Sequence, residues 1–280
     1  MITLHFMITV VELSMLYTLL AMGTWLSWRV LNKYDLSIEG SFCLGGTVAA
    51  LLLVNQINPW LALGCSLVVG AFIGSISFFL HRALGIDILM CGIVVNPALF
   101  SLALLLVGSH VSLGASKTIF TDGAYLFGSY GSLVIVALIV LTLIFLIKWL
   151  LTTEVGLVLR AVGDNANLVA ELGKSVGCYQ LATFMVANGL SGLTGALFVQ
   201  YMGFFSVWSG IGTLVIALTA VLGARLVGKG FGLNLLLGSF FYQLITALTL
   251  EIDIRPEWHK LIAALLTVIL MVVVGKDKND

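Results

Sequence analysis

The segment from Gly40 to His81 reads GSFCLGGTVAALLLVNQINPWLALGCSLVVGAFIGSISFFLH and contains no Asp, Glu, Lys or Arg. An apolar run of this length holds two transmembrane helices of about 20 residues each. Residues 88–116 and 175–224 are equally free of these four residue types. The chain is therefore predicted to be an all-α, polytopic membrane protein with a single transmembrane domain over residues 1–280.

The composition agrees with a membrane protein. Hydrophobic residues make up 60% of the chain and charged residues 9%, with a mean hydropathy of +1.15, whereas soluble domains carry about a quarter charged residues. The long apolar runs also differ from the short alternating segments of a membrane β-barrel. Because 13 basic residues balance 13 acidic ones, no nucleic-acid partner is expected.

Turn residues and charges divide the chain into nine candidate spans. They cover residues 9–29, 39–55, 59–81, 87–107, 131–150, 179–201, 210–227, 231–250 and 258–275. An interfacial first segment, or a re-entrant span at Asn96-Pro97, would change the count to eight or ten.

The distribution of basic residues predicts the orientation. With the N-terminus outside, ten of the 13 Lys and Arg residues fall on the inner side and three on the outer side. The inner ten are Arg29, Lys33, Arg82, Lys148, Arg160, Lys174, Arg225, Lys229, Lys276 and Lys278, and the outer three are Lys117, Arg255 and Lys260. The positive-inside rule then places the C-terminus and residues 151–178 in the cytoplasm, and residues 108–130 outside.

Several kinds of chemistry have no matching motif in the sequence. The Gly-rich piece at residues 223–232 lacks the Ser or Thr that follows the lysine of a phosphate-binding loop. The four His residues are far apart, which argues against a metal cluster. Few ionisable residues fall inside the spans, and this weighs against proton coupling without excluding sodium coupling. The chain is expected to bind no cofactor of its own and to hydrolyse no ATP.

The polar segment 151–178 is the main functional candidate. Asp164 suits a helix N-cap and Gly173 a C-cap, so the sequence predicts a short helix from Gly163 to Gly173. Such a helix either lies on the lipid surface or binds a soluble partner. The acidic side chains of Asp164 and Glu171 are unfavourable on an anionic leaflet, which favours a protein partner.

A longer pattern runs through this segment and the span that follows it. It consists of Thr153, Gly156, Arg160-Ala161, Asn165, Ala170, Leu172-Gly173, Phe184, Gly189-Leu190, Gly192 and Gly195-Ala196-Leu197. The pattern resembles the membrane permeases of ABC importers for branched-chain amino acids and their relatives. A second stretch, LSIEGSFCLGG at residues 36–46, together with Asn58-Pro-Trp and Ser116-Lys-Thr-Ile-Phe, is similar to the subgroup labelled tryptophan/tyrosine or uncharacterised amino-acid permeases.

The resemblance implies a multi-subunit importer in the bacterial cytoplasmic membrane. Two copies of the chain, or one copy and a relative, would pack around a central path in the lipid bilayer and pair with ATPase subunits that carry ATP and magnesium. A lipoprotein or periplasmic binding protein would deliver the substrate, an aromatic or branched-chain amino acid. Sugars and nucleosides are the alternative substrates, because related permeases carry them.

In such permeases the cytoplasmic loop is a coupling segment whose short helix sits in a cleft of the ATPase. Carried onto this sequence, the coupling residues are Gly156, Arg160, Ala161, Gly163, Asp164, Asn165, Ala170 and Gly173. Arg160 would anchor the loop to the membrane domain or the ATPase, and residues 163–165 would begin the docking helix. For Arg160 and Gly156, the alternatives are a membrane-surface anchor and a span-end cap.

Three polar residues are candidates for the substrate path. Asn188 lies in the small-residue sequence of the span at 179–201, where it either lines the path or hydrogen-bonds a neighbouring helix. Asn96 precedes a mid-span proline that leaves backbone carbonyls available. Glu39, at the start of a span, either faces the path or favours a helix N-terminus. Gln200 and Gln243 present the same choice as Asn188.

Two other functions remain open from the sequence. A stand-alone secondary transporter or channel would work without an ATPase and without the helix at 163–173. A membrane scaffold that assembles other proteins would have no path and little need for Gly192 or Asn188.

Overall fold

The computed structural model describes residues 4–114, 116–228, 231–251 and 258–276. The α-helices are α1 Leu4–Trp25, α2 Ser37–Val54, α3 Pro59–Leu84, α4 Ile88–Val107, α5 Ile119–Phe127, α6 Gly131–Thr152, α7 Glu154–Asp164, α8 Ala166–Glu171, α9 Val176–Met202, α10 Thr213–Val227, α11 Leu233–Glu251 and α12 Trp258–Lys276. A π-helical turn, Leu26–Val30, extends α1, and 3-10 turns Gly128–Tyr130 and Val207–Gly210 precede α6 and α10.

The all-α membrane fold agrees with the sequence prediction. Seven helices of the described residues are long and apolar enough to cross a membrane, and each coincides with a predicted span. The remaining two predicted spans fall on α11, which is a shorter apolar helix over 233–249, and on α12. The count of nine and the orientation stay predictions, and Lys229, Arg255 and Lys278 lie outside the described residues.

Local sequence signals explain where several helices begin and end. The Asn58 side chain accepts a hydrogen bond from the Trp60 amide at 2.9 Å, and Pro59 occupies the first turn of α3. Gly85 ends α3 with a φ of 67°, which favours glycine. Pro97 lies inside α4, which runs unbroken from Ile88 to Val107, so no re-entrant span forms there.

Helix α9 forms the centre of the domain, because 83% of its most apolar 18-residue stretch is buried. It packs most extensively against α3 and α2, and also contacts α1. A Cβ atom at Gly192 would lie 2.5 Å from the Ser66 carbonyl of α3, and one at Gly195 would overlap the Phe42 carbonyl of α2. These close approaches confirm that the small-residue sequence of this span brings helix backbones together.

One end of the bundle carries a small two-stranded sheet and the other carries α7 and α8. Strands β1 (His110–Ser112) and β2 (Phe204–Ser206) are antiparallel, with Val111 opposite Phe205. Residues 108–130, predicted as an external segment, thus contain β1 and α5. The Gln200 side chain accepts a hydrogen bond from the Ile119 amide at 3.0 Å and donates one to the Pro59 carbonyl at 3.3 Å. Gln200 therefore links α9 to α3 and α5.

Candidate functional site

Helix α7 begins directly after α6 through a sharp turn at Thr153, whose backbone is extended. Gly156 lies in the first turns of α7 and is buried against the end of α6. A Cβ atom there would lie 2.5 Å from the Leu150 carbonyl. Only glycine permits this fold-back, so Gly156 has a structural reason for its identity.

The inner face of α7 attaches the segment to the membrane domain. Leu159 and Val162 are each 4% exposed. Gly163 lies against the carbonyl of Val30, so closely that a Cβ atom would overlap it. Because Val30 ends the π-helical extension of α1, α7 rests on the end of that helix. Arg160 points away from this contact and is exposed, whereas Ala161 is half-buried.

Helix α8 differs in one respect from the predicted helix at 163–173. Asp164 was predicted to be the N-cap, but it ends α7, and the N-cap is Asn165. The Asn165 backbone is extended, with φ −152° and ψ 92°, and its side chain accepts a hydrogen bond from the Leu168 amide at 3.1 Å. Gly163 is therefore part of α7 and does not begin the docking helix. Gly173 has a φ of 75° just beyond α8, as expected of a C-terminal glycine.

The outer surface of α8 and its C-cap residue carries two exposed leucines. Val169 is 2% exposed and anchors the helix, while Leu168 and Leu172 are 51% and 72% exposed. Ala170 and Glu171 are also exposed on this helix. An apolar pair with charged neighbours, held on a helix by a single buried residue, is typical of a protein-docking surface.

A buried polar network begins five residues after the α7 contact at Val30. The Asp35 carboxylate accepts hydrogen bonds from the Asn188 side chain at 2.7 Å and from the Ser37 amide at 2.9 Å. Asn188 Oδ1 in turn accepts one from the Ser41 hydroxyl at 2.6 Å. All four residues are at most 3% exposed. The network joins the 31–36 loop, α2 and α9.

Burial raises the pKa of the Asp35 carboxyl, although hydrogen bonds from Ser37 and Asn188 oppose part of this shift. Asp35 was not predicted as a site residue from the sequence, because it lies outside the spans and its partner Asn188 is 153 residues away. An acid followed two residues later by Ser was the only local signal.

The three residues predicted for the substrate path surround the first turns of α2. Asn188 belongs to the buried network. Glu39 accepts a hydrogen bond from the Gly212 amide at 2.8 Å, so its carboxylate lies at the N-terminus of α10, a different helix from its own. Asn96 Oδ1 is buried without a hydrogen-bond partner in the described structure and faces Gly40. They share a region, but the coupling residues lie elsewhere, on α7 and α8.

Glu12, a buried acid inside the first span, was also not predicted as a site residue. Glu12 is 4% exposed in α1 and accepts hydrogen bonds from the Tyr201 hydroxyl at 2.8 Å and from the Ser132 hydroxyl. These contacts join α1, α9 and α6. The position of Glu12 within an apolar sequence was the signal for a buried partner.

Comparisons with known proteins agree with a transport role. The family model described as "Branched-chain amino acid transport system / permease component" matches residues 6–271. The chain is 29% identical over 267 residues to the "Tyrosine transport system permease protein" of Clostridioides difficile (strain R20291), covering 93% of this chain and 88% of that protein.

Two other relatives match shorter parts. The "Probable branched-chain amino acid transport permease protein LivH" of Methanocaldococcus jannaschii is 30% identical over 200 residues, covering 66% of this chain and 62% of LivH. The "Autoinducer 2 import system permease protein LsrC" of Salmonella typhimurium (strain LT2) is 30% identical over 140 residues, covering 49% of this chain and 40% of LsrC. No solved structure matches the chain.

Proposed function

The chain belongs to the family of branched-chain amino acid transport system permease components, and on that basis we propose that it is the permease subunit of an ATP-driven importer in the bacterial cytoplasmic membrane. Its cargo is an amino acid with an aromatic or branched side chain. It works with an ATPase subunit, a substrate-binding lipoprotein or periplasmic protein, and a second copy of itself or a relative. The chain is a transport subunit and not an enzyme.

The observation that carries this proposal is the exposed apolar face of α8. Leu168 and Leu172 are more than half exposed, while their neighbour Val169 is buried. The proposed ATPase covers these two leucines, and Arg160, Asp164 and Glu171 contribute charged contacts around them.

Movement of the ATPase would reach the membrane domain through α7. Gly163 lies in backbone contact with Val30, so α7 and the end of α1 are expected to move together. A contact without intervening flexible side chains transmits displacement with little loss, because packed backbones are not easily compressed.

The next step in the proposed coupling runs from the end of α1 to the central helix. The 31–36 loop leaves this helix end and carries Asp35, which is bonded to Asn188 of α9 and to Ser37 of α2. A shift of the loop therefore acts on α9 and α2 together. These helices are proposed to rearrange between two states as the path opens and closes.

A test of the proposed function compares uptake with and without ATP hydrolysis. Cells express the permease together with the ATPase and the binding protein that are proposed to work with it. They are supplied with labelled L-tyrosine, L-leucine or ribose. The proposal predicts uptake of at least one of the two amino acids, and its loss when the ATPase carries an inactive nucleotide site. Unchanged uptake with the inactive ATPase would support the stand-alone transporter instead.

A ribose signal in the same assay would identify a sugar permease. This second possibility is retained because permeases related to this family carry sugars, and the similarity of about half of the chain to an autoinducer 2 import permease shows that relatives are not limited to amino acids.

A further inference from the structure

Two cavities meet along one face of α11, at the end of the bundle opposite α7 and α8. They have volumes of about 410 Å³ and about 260 Å³. Tyr17 of α1 and Gln243 and Thr246 of α11 line both of them. The larger cavity lies within the size range of small-molecule sites. Because the two cavities share three lining residues, they are adjacent, and together they are called the cleft.

Gln243 is the polar centre of this cleft. Its side chain is 6% exposed and makes no hydrogen bond to another residue in the described part of the chain. By contrast, the buried amides of Asn188 and Gln200 are bonded to neighbouring helices, and Asn96 Oδ1 is enclosed without a partner in the described structure. Gln243 is not among the enclosed unpaired groups, so its amide is accessible from the cleft and is suited to a partner that enters it.

Aromatic side chains form much of the remaining wall. Phe6, Tyr17 and Phe198 line the larger cavity, and Trp208 with Tyr17 lines the smaller one. Phe198 and Tyr17 also contact one another, with ring centroids 6.2 Å apart. Such a wall favours a ligand with an aromatic or large aliphatic group.

The charge of the lining limits the ligand further. Among the residues that the structure describes, no Asp, Glu, Lys or Arg lines either cavity. A ligand with a net charge would be buried without a counter-charge, at a cost of several kcal/mol. A sugar carries hydroxyl groups around its whole ring and would place many of them against an apolar wall. An amino acid confines its polar groups to one end, which can lie at the shared polar residues Tyr17, Gln243 and Thr246.

We propose that this cleft binds the transported solute, a net-neutral amino acid with an aromatic or large aliphatic side chain. The Gln243 amide donates to the ligand carboxylate or accepts from its ammonium group, while the aromatic wall holds the side chain. The inference rests on the proposed function and adds the location of the site.

The test is protection of an introduced cysteine in the complete transporter in lipid nanodiscs. Cys65 and Cys178, the two exposed cysteines, are changed to Ser, and Thr246→Cys introduces a thiol that lines both cavities. A small maleimide labels this thiol in the presence of L-phenylalanine, L-leucine, L-lysine or glucose. Ser75→Cys, in a separate cavity on α3, is the matched control.

L-Phenylalanine or L-leucine should slow labelling of Thr246→Cys by about tenfold at about ten times the Kd, as single-site occupancy requires. L-Lysine and glucose should have no effect, and labelling of Ser75→Cys should not change. Adding Gln243→Leu should abolish the protection, whereas Gln180→Leu, on α9 outside the cleft, should preserve it. If Gln243→Leu fails to assemble, Tyr17→Phe takes its place, because it removes one hydroxyl and keeps the ring. Protection of Thr246→Cys should then be weaker than without Tyr17→Phe.

Equal labelling with and without either amino acid would overturn the proposed site, as would equal protection by glucose or at Ser75→Cys. The uptake assay keeps this failure separate from failure of the proposed function. If the complex imports L-leucine, the amino acid common to both assays, and L-leucine does not protect Thr246→Cys, the site is wrong and the function stands. If protection occurs without ATP-dependent uptake, the function is wrong and the site stands.

Discussion

Replacing Asn188 with Leu tests the buried network that joins α2, α9 and the 31–36 loop. The substitution keeps a similar volume but removes the amide. Asp35 then loses a donor at 2.7 Å and Ser41 loses an acceptor at 2.6 Å. Each buried polar group left unsatisfied costs about 1–3 kcal/mol, so the free energy of unfolding should fall by about 2–6 kcal/mol.

The assay is unfolding in mixed micelles titrated with SDS, followed by fluorescence of the six tryptophans. Asn167→Leu, on the exposed surface of α8, is the matched control and should change stability by less than about 0.5 kcal/mol. A double-mutant cycle with Asp35→Ala should give a coupling energy of about 1–3 kcal/mol. A coupling energy near zero, or an unaltered stability for Asn188→Leu, would refute the reasoning.

Two further predictions concern the same end of the bundle. Gly163→Ala should reduce ATP-dependent transport severalfold, because the new methyl overlaps the Val30 carbonyl. The control, Gly64→Ala, should leave uptake unchanged, because nothing lies within 4 Å of its Cβ position. Equal uptake by the two variants would contradict the proposed contact pathway. Because burial raises the pKa of Asp35, the native state holds this proton more tightly than the unfolded chain. The Asp35 contribution to the free energy of unfolding should therefore fall as pH rises from the ordinary carboxyl pKa to the native one. The measurement is the difference in the free energy of unfolding between wild type and Asp35→Ala across that pH range. A contribution that rises with pH would be inconsistent with the burial.

The helical framework follows closely from the sequence because a lipid environment restricts the backbone. Apolar runs without charges must form helices there, since no water satisfies their amide and carbonyl groups. The spans around α2 and α3 could be predicted for this reason, and the small-residue sequence around Gly192 indicated close helix packing. The structural role of Gln200 was one of two predicted alternatives, and its hydrogen bonds confirm it.

The details of the candidate site depended on contacts that the sequence does not reveal. Asp164 and Asn165 are both residue types that favour N-caps, and the structure places Asp164 at the end of α7, which packs on the end of α1, so Asn165 becomes the N-cap. The bond between Asp35 and Asn188 spans 153 residues, so it depends on the tertiary arrangement. Gln243 appeared equivalent to Gln200 in the sequence, but one lines a cleft and the other is bonded to its neighbours.

The central claim is that α8 docks the ATPase, and co-purification of the two subunits from solubilised membranes tests it most directly. The wild type is compared with Leu168→Asp plus Leu172→Asp, and with Leu84→Asp, which alters a leucine that is 59% exposed at the same end of the bundle. The variant Arg160→Glu plus Asp164→Lys tests whether the charged side chains around the two leucines contribute to ATPase binding. The account predicts that the ATPase co-purifies with the wild type and Leu84→Asp but is lost from the Leu168/Leu172 variant. Retention of the ATPase by that variant would contradict the claim.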